Sequence, residues 1–440
     1  MVKNSIFNTV KTSSSGEQFL INTRTTSVLN ISKPPLQQLG DLLIKGGEQF
    51  VFDVGDSSIQ LLKKNGFIVE NEFDEKGWVE QIHQTARLGS DAFGLGIALT
   101  LACNFRCVYC YEKHIDVHIS NELCSSINKF VSRNIIGKKR FRVAWFGGEP
   151  LLQTRLIEKF SNFFITQCDI ENVKYSARIA TNGYLLSRGT AEMLRRYHVD
   201  EIQITIDGPP EIHDERRFRT GGFPSFSRIL NNIEKNCELF ERVIVRINID
   251  EHNRHSIPTL LEKYLYPLRN NIVLNFREAL PPDDIYKMEP LTTLPDDYWN
   301  LEKDLGRLSD SLGFTVARGY ALPCTSFCMG YQKNSFMIDP FGHIHRCTKY
   351  LGVKDERYGE LSDHGEIIVN KTGSQASWDN WSPFKDNECI SCKELPLCMG
   401  GCLLYLETKK DKKNTHRCFA KHNLLESVQR DVDISVDSIY

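Results

Sequence analysis

Three cysteines share one short string, Cys103-Asn-Phe-Arg-Cys107-Val-Tyr-Cys110-Tyr-Glu112, which follows directly on the apolar run 96–102. A short apolar run that ends in a polar loop reads as a buried strand, so the CxxxCxxC spacing falls at a strand exit. Three thiolates on one loop can hold three irons of a cubane [4Fe-4S] cluster and leave the fourth iron open to a ligand that reacts there. The competing reading is a zinc knuckle. Zinc sites favour CxxC pairs closed by a second pair or by histidines, and no second CxxC pair lies near this loop.

The segments that follow repeat one pattern. An amphipathic stretch over 121–134 leads to a strand-like run, 142–146, then to Gly147-Gly148-Glu149-Pro150 and a helical segment over 151–164. Strand, glycine turn, acid and helix present backbone groups and one carboxylate to a small cationic ligand. An ordinary βα turn needs the glycines but not the acid beside them. Strand signals recur at 175–180, 201–206 and 243–249, with helical stretches over 187–197 and 226–240 between them. Alternation of this kind predicts an α/β fold with a parallel sheet, and a barrel of such units carries its chemistry at the C-terminal ends of the strands.

The triad, with Tyr109 just before its third cysteine and Gly147-Gly148-Glu149 downstream, resembles the radical S-adenosylmethionine (radical SAM) superfamily. The resemblance implies a partial (β/α)6 TIM-like barrel. It also implies a [4Fe-4S] cluster on Cys103, Cys107 and Cys110, with S-adenosyl-L-methionine (SAM) chelated on the open iron and cleaved to a 5'-deoxyadenosyl radical. Tyr109, Gly147, Gly148 and Glu149 take cofactor-binding roles by the same resemblance, the last three toward the SAM amino group. Asn182 and Thr205 fall near its ribose or carboxylate, and Asn248 near the adenosyl moiety. The string from Asp207 to Arg217, with Asp207-Gly-Pro, His213-Asp214 and Arg217, looks like a loop of peptide- and protein-modifying members. A solvated turn would account for Asp207-Gly-Pro alone.

A second set of cysteines lies toward the C-terminus: Cys324, Cys328, Cys347 after Gly342, then Cys389, Cys392, Cys398, Cys402 and Cys418. Eight thiols suffice for two four-thiolate clusters, and thiolate tetrahedra suit zinc as well as iron. Their spacing resembles the SPASM domain, which implies two auxiliary [4Fe-4S] clusters and three clusters in all. By that resemblance Cys324, Cys328, Cys347 and Cys402 hold the first auxiliary cluster, and Cys389, Cys392, Cys398 and Cys418 the second. Of the 14 cysteines, Cys124, Cys168 and Cys237 remain, each inside a helix-like stretch where a thiol acts as a small apolar group.

The expected domains are a winged-helix-like α+β domain over 1–92, the radical SAM core over 93–280, a bridging region over 281–322 and the SPASM domain over 323–440. In the first, 17–22 and 27–31 form a hairpin, helices follow at 35–45 and 57–64, and 65–69 resembles a wing. Such domains bind a precursor's leader segment by strand addition; a packing extension that caps the barrel is the alternative. A helix is expected over 298–312, and no residue of the bridge declares a role.

A net charge of −2 gives no electrostatic case for nucleic acid. The N-terminus lacks the apolar core of a signal peptide, and no run approaches the roughly 18 apolar residues of a spanning helix. A cytoplasmic enzyme without a membrane or nucleic-acid partner is therefore expected. The resemblance implies a ribosomally made precursor peptide or protein as substrate and a flavodoxin- or ferredoxin-type electron donor. The expected function is a radical SAM peptide maturase whose product is a thioether or other crosslink, with no side chain declared as catalytic. The anaerobic sulfatase maturase, which makes formylglycine, shares the layout, but that family carries an acidic base after the cysteine matching Cys347. This chain has Thr348 there. A non-catalytic iron-sulfur electron-transfer or peptide-binding protein is the alternative of another class.

Overall fold

The structure, a computed structural model, describes residues 2–12, 16–32, 40, 43, 56–89, 91–279, 298–317, 328–372 and 374–403. Cys324, Cys418, most of the bridge and most of the helix expected over 35–45 lie outside the described residues. The chain divides into two compact units. One comprises residues 1–88, 318–331 and 380–440, and the other 89–317 and 332–379.

In the first unit, β2 (Asn8–Thr12), β3 (Gln18–Asn22) and β4 (Ser27–Asn30) form an antiparallel sheet with β3 central. The hairpin expected at 17–31 is β3–β4; β2 adds a third strand. The stretch read as a wing contributes β5 (Ile68–Glu70), which pairs antiparallel with β1 (Val2–Asn4). Phe19 and Ile21 of β3 are buried against Leu397, and the Thr23 hydroxyl donates to the Lys393 carbonyl. N-terminal strands and the cysteine-bearing segment 389–402 thus share one small core.

The second unit is built on an 11-stranded sheet. Six parallel strands follow one another in chain order: β6 (Ala92–Ala98), β7 (Arg140–Phe146), β8 (Lys174–Thr181), β9 (Val199–Thr205), β10 (Arg242–Ile249) and β11 (Ile272–Glu278). Helices Asn121–Asn134, Thr154–Glu171, Arg188–Arg196 and Phe226–Asn236 cross between them, giving the α/β architecture with a large, mostly parallel sheet that the alternation predicted. Beyond β11 lies β12 (Thr315–Val316). At the other edge β13 (Ser335–Ile338) pairs parallel with β6, and β14 (His343–His345), β15 (Gly359–Leu361) and β16 (Ile367–Val369) continue antiparallel.

Strand β7 shows how the layers form. Phe141, Val143 and Trp145 alternate into the core while Arg140 and Arg142 stay exposed, the period-2 pattern of a pleated strand. Trp145 stacks on Phe164 of the next helix, with rings 6.4 Å apart and 6° from parallel. That helix stops at Asn172, whose left-handed φ of 55° supplies the C-cap, so β8 can turn back along β7.

Candidate active site

The expected site residues fall at one end of the parallel strands. The loop carrying Cys103, Cys107, Tyr109 and Cys110 leaves β6; Gly147, Gly148 and Glu149 follow β7; Asn182 follows β8; Thr205 ends β9; and Asn248 is the penultimate residue of β10. Parallel strands place their C-terminal ends together, which is why residues spread over about 150 positions share one mouth.

The cysteine loop is held from two sides. Arg106 N donates to Phe218 O at 2.9 Å, Val108 N to Arg216 O at 3.0 Å and Thr220 N to Asn104 O at 2.9 Å, so the segment after helix Pro210–Arg216 runs along the loop as a backbone splint. From the other side, Gly148 N donates to Thr100 O at 3.0 Å and Glu149 N to Ala102 O at 2.9 Å. The glycines are a steric requirement. Gly147 has φ +111°, and a Cβ there would lie 2.2 Å from Thr100 O. A Cβ on Gly148 would lie 2.3 Å from Ala102 O.

Glu149 is fully buried. Its Oε1 accepts from Leu151 N at 2.9 Å and from the Thr181 hydroxyl at 2.7 Å, and its Oε2 accepts from Asn182 N at 2.8 Å. A carboxylate offers about four lone-pair sites, so this one ties β7 to β8 with one direction to spare. Burial raises its pKa against the pull of those donors. Asn182 in turn donates to Asn104 Oδ1 of the cysteine loop at 2.8 Å.

Tyr109 anchors the far side. Its hydroxyl donates to Asp207 Oδ2 and accepts from Arg217 Nη1 at 2.6 Å and from Asn248 Nδ2 at 3.1 Å. Asp207 Oδ1 accepts from Asn248 N at 2.8 Å, and Arg246 Nε donates to Asn248 Oδ1 at 2.8 Å. His213 is neutral by geometry. Its Nδ1 accepts from Asp207 N at 3.3 Å, which leaves Nε2 to carry the proton toward Ser225 Oγ at 3.2 Å. Burial, with Arg217 and Arg216 nearby, holds its pKa well below the usual imidazole value. Asp214 caps the next helix, accepting from Ser225 N and Phe226 N, so the His213-Asp214 pair and Arg217 have partners that a solvated turn would not supply.

Several neighbours gave no sign in the sequence. Thr348 lies beside Tyr111, and the Lys349 ammonium lies 4.2 Å from the Tyr111 ring centroid. Glu112 is half-buried with an Oε2 that has no hydrogen-bond partner and is out of solvent. Burial first and Glu149 second raise its pKa to about 7. Arg216 forms a buried pair with Asp250 at 2.8 Å. These contacts join positions far apart in the chain, and only the Thr348 position stood out beforehand.

The donors suit the groups that the resemblance implies. Burial pushes the Cys103 thiol up to about 12 and the Cys107 and Cys110 thiols upward too, and bound metal reverses that preference by holding thiolates. Among the described residues, only Asp339, His343 and His345 bring three ligand atoms within 4.8 Å of one another. The loop's three sulfurs therefore do not all lie within 4.8 Å of one another, whereas the edge of a tetrahedral zinc-thiolate site is about 3.8 Å. The buried carboxylate of Glu149 and the half-buried one of Glu112, whose Oε2 has no partner, suit a cationic ligand beside them.

A three-cysteine loop at the C-terminal ends of parallel strands, beside the buried carboxylate of Glu149, is the layout of an α/β protein equipped to hold a metal cluster. Residues 97–263 match the sequence profile of the Radical SAM superfamily. The chain is 22% identical over 392 residues to the radical SAM cyclopropyl synthase TigE of Paramaledivibacter caminithermalis, covering 78% of this chain and 77% of that protein. It is 25% identical over 339 residues to a cysteine-type anaerobic sulfatase-maturating enzyme of Clostridium perfringens, covering 70% and 88%. The structure of anSMEcpe with bound AdoMet and the Cp18Cys peptide superposes with a TM-score of 0.60 at 20% identity, covering 79% of this chain and 99% of that one. The chain is an enzyme with a radical SAM domain, related to peptide-modifying enzymes and sulfatase maturases. A domain of that superfamily implies a [4Fe-4S] cluster and SAM. Among the described residues no helix is long and apolar enough to cross a membrane.

Proposed function

We propose that this chain is a radical SAM peptide maturase that abstracts a hydrogen from a residue of a ribosomally made peptide and forms a thioether or related crosslink. When bound, the cluster and SAM supply the 5'-deoxyadenosyl radical that removes the hydrogen. The chain's residues position and exclude. Cys103, Cys107 and Cys110 hold the cluster; the backbone of Gly147 and Gly148, with Glu149, receives the SAM amino group; Asn182, Thr205, Asn248 and Tyr109 line the remainder. Of the eight C-terminal cysteines, Cys324, Cys328, Cys347 and Cys402 hold one auxiliary cluster, and Cys389, Cys392, Cys398 and Cys418 the other. Clusters held there would supply an acceptor for the electron released on oxidation of the substrate radical, and a flavodoxin- or ferredoxin-type protein would be the donor to the Cys103 loop. The N-terminal sheet, with edges at β2 and β4, is suited to add a leader strand.

The observation that carries the reading is the cysteine loop, splinted between the Gly147-Gly148 backbone and the 216–220 segment at the C-terminal mouth of the barrel. Anaerobic incubation with dithionite and SAM tests it. The wild-type chain should release 5'-deoxyadenosine, and a variant with Cys103, Cys107 and Cys110 all changed to Ala should fall to background while keeping its other iron. Persisting SAM cleavage in that variant would falsify the assignment.

Sulfatase maturation is the second reading, favoured by the likeness to the maturase of Clostridium perfringens. Thr348, beside Tyr111, stands where that reaction's base is expected, and its hydroxyl is too weak a base for the task. Mass spectrometry of a modified cysteine peptide separates the two. A thioether loses two hydrogens and keeps sulfur, whereas formylglycine made from cysteine loses it.

A further inference from the structure

The hairpin that leads to Cys347 carries a second constellation of ligand type. Asp339 follows β13, and His343 and His345 are the first and last residues of β14. The β13–β14 register pairs Ile338 with Ile344, and Asp339 N donates to His343 O at 3.1 Å, so Asp339 stands opposite His343. Residues i and i+2 of a strand share a face, which brings His345 to the same side. His343 Nδ1 and His345 Nε2 each lie 3.1 Å from Asp339 Oδ2, and the three ligand atoms fall within 4.8 Å of one another.

We propose that Asp339, His343 and His345 form a divalent transition-metal site with two imidazole ligands and one carboxylate, separate from the iron-sulfur cysteines. The two 3.1 Å separations are close to the about 3.3 Å edge of a tetrahedron whose metal–ligand bonds are near 2.0–2.1 Å. Two neutral imidazoles and one carboxylate suit zinc or iron(II), with remaining positions left for water. Asp339 Oδ1 already accepts from Phe341 N at 2.9 Å and His343 N at 3.0 Å, which aims Oδ2 at the rings as an outer-shell bond orients a metal-ligating carboxylate. Asp339 and His345 are fully buried and His343 is 11% exposed, so the ion has an entry path on the His343 side. The ion would clamp the hairpin two residues before Cys347 and so steady Thr348 and Lys349 beside Tyr111.

The test uses holoenzyme with its clusters intact. The protein is incubated with zinc chloride, desalted, and assayed for zinc and iron per chain. Wild type should retain one zinc that Asp339→Asn and His343→Gln both lose, with iron unchanged. Zinc-edge X-ray absorption should show imidazole and oxygen neighbours without sulfur. Equal zinc in wild type and His343→Gln at equal iron, or sulfur in the zinc shell, overturns the proposal. Because His343 is the least buried ligand, its variant decides the matter if Asp339→Asn fails to fold.

Discussion

At the scale of single residues, the site depends on groups that cannot take a proton or a methyl group without moving. His213 accepts from Asp207 N and donates to Ser225, so it is committed to the neutral form. Its folded pKa lies well below its unfolded value near 6.5. The resulting stability is complete above that unfolded value and is lost as pH falls below it, because the unfolded chain then binds the proton first. Urea midpoints should fall between about pH 7.5 and 5.5, and a His213→Leu variant, less stable throughout, should show a flatter slope. Gly148→Ala makes a steric case, since the new Cβ would press on Ala102 O at 2.3 Å. A loss of about 1–3 kcal/mol is expected, with iron leaving the Cys103 loop first, checked by iron counts and chemical denaturation. The glycines were visible in the sequence. Their reason was not, since it lies in the carbonyls of a loop that leaves the preceding strand.

At the scale of elements, the barrel strands were legible because each is a short apolar run with period-2 alternation. The stretches 175–180, 201–206 and 243–249 correspond to β8, β9 and β10 within two residues. What periodicity cannot carry is pairing at long range. Nothing local says that β13 adds parallel to β6, or that residues 216–220 bond the cysteine loop. The buried Arg216–Asp250 pair holds that splint to the end of β10. Removing one partner strands a buried charge, so Asp250→Asn should cost about 3–5 kcal/mol. It should also lower SAM cleavage by slackening the loop, whereas Asp304→Asn at an exposed pair should cost less than about 1 kcal/mol. Equal effects of the two changes on SAM cleavage would show that the splint does not govern the loop.

At the scale of the whole molecule, the expected domains follow the chain in order, yet the compact units interleave: residues 1–88 group with 318–331 and 380–440, and 332–379 group with the barrel. Sequence order gives no hint of this, because the joining surface is a few apolar residues with ordinary strand spacing. Phe19 and Ile21 close over Leu397, one residue before Cys398 and near Cys389 and Cys392. The N-terminal strands therefore have structural work to do whether or not they also bind a leader. Ile21 is fully buried, and Ile21→Ala should cost about 2–5 kcal/mol through the cavity it leaves. If Cys389, Cys392 and Cys398 hold iron, that loss of packing should lower iron in the C-terminal set while the Cys103 loop keeps its own. Uncoupled SAM cleavage should then stay near the wild-type level as crosslinked product falls. A variant that keeps full iron and full product would show that the small core at Leu397 is not what steadies those cysteines.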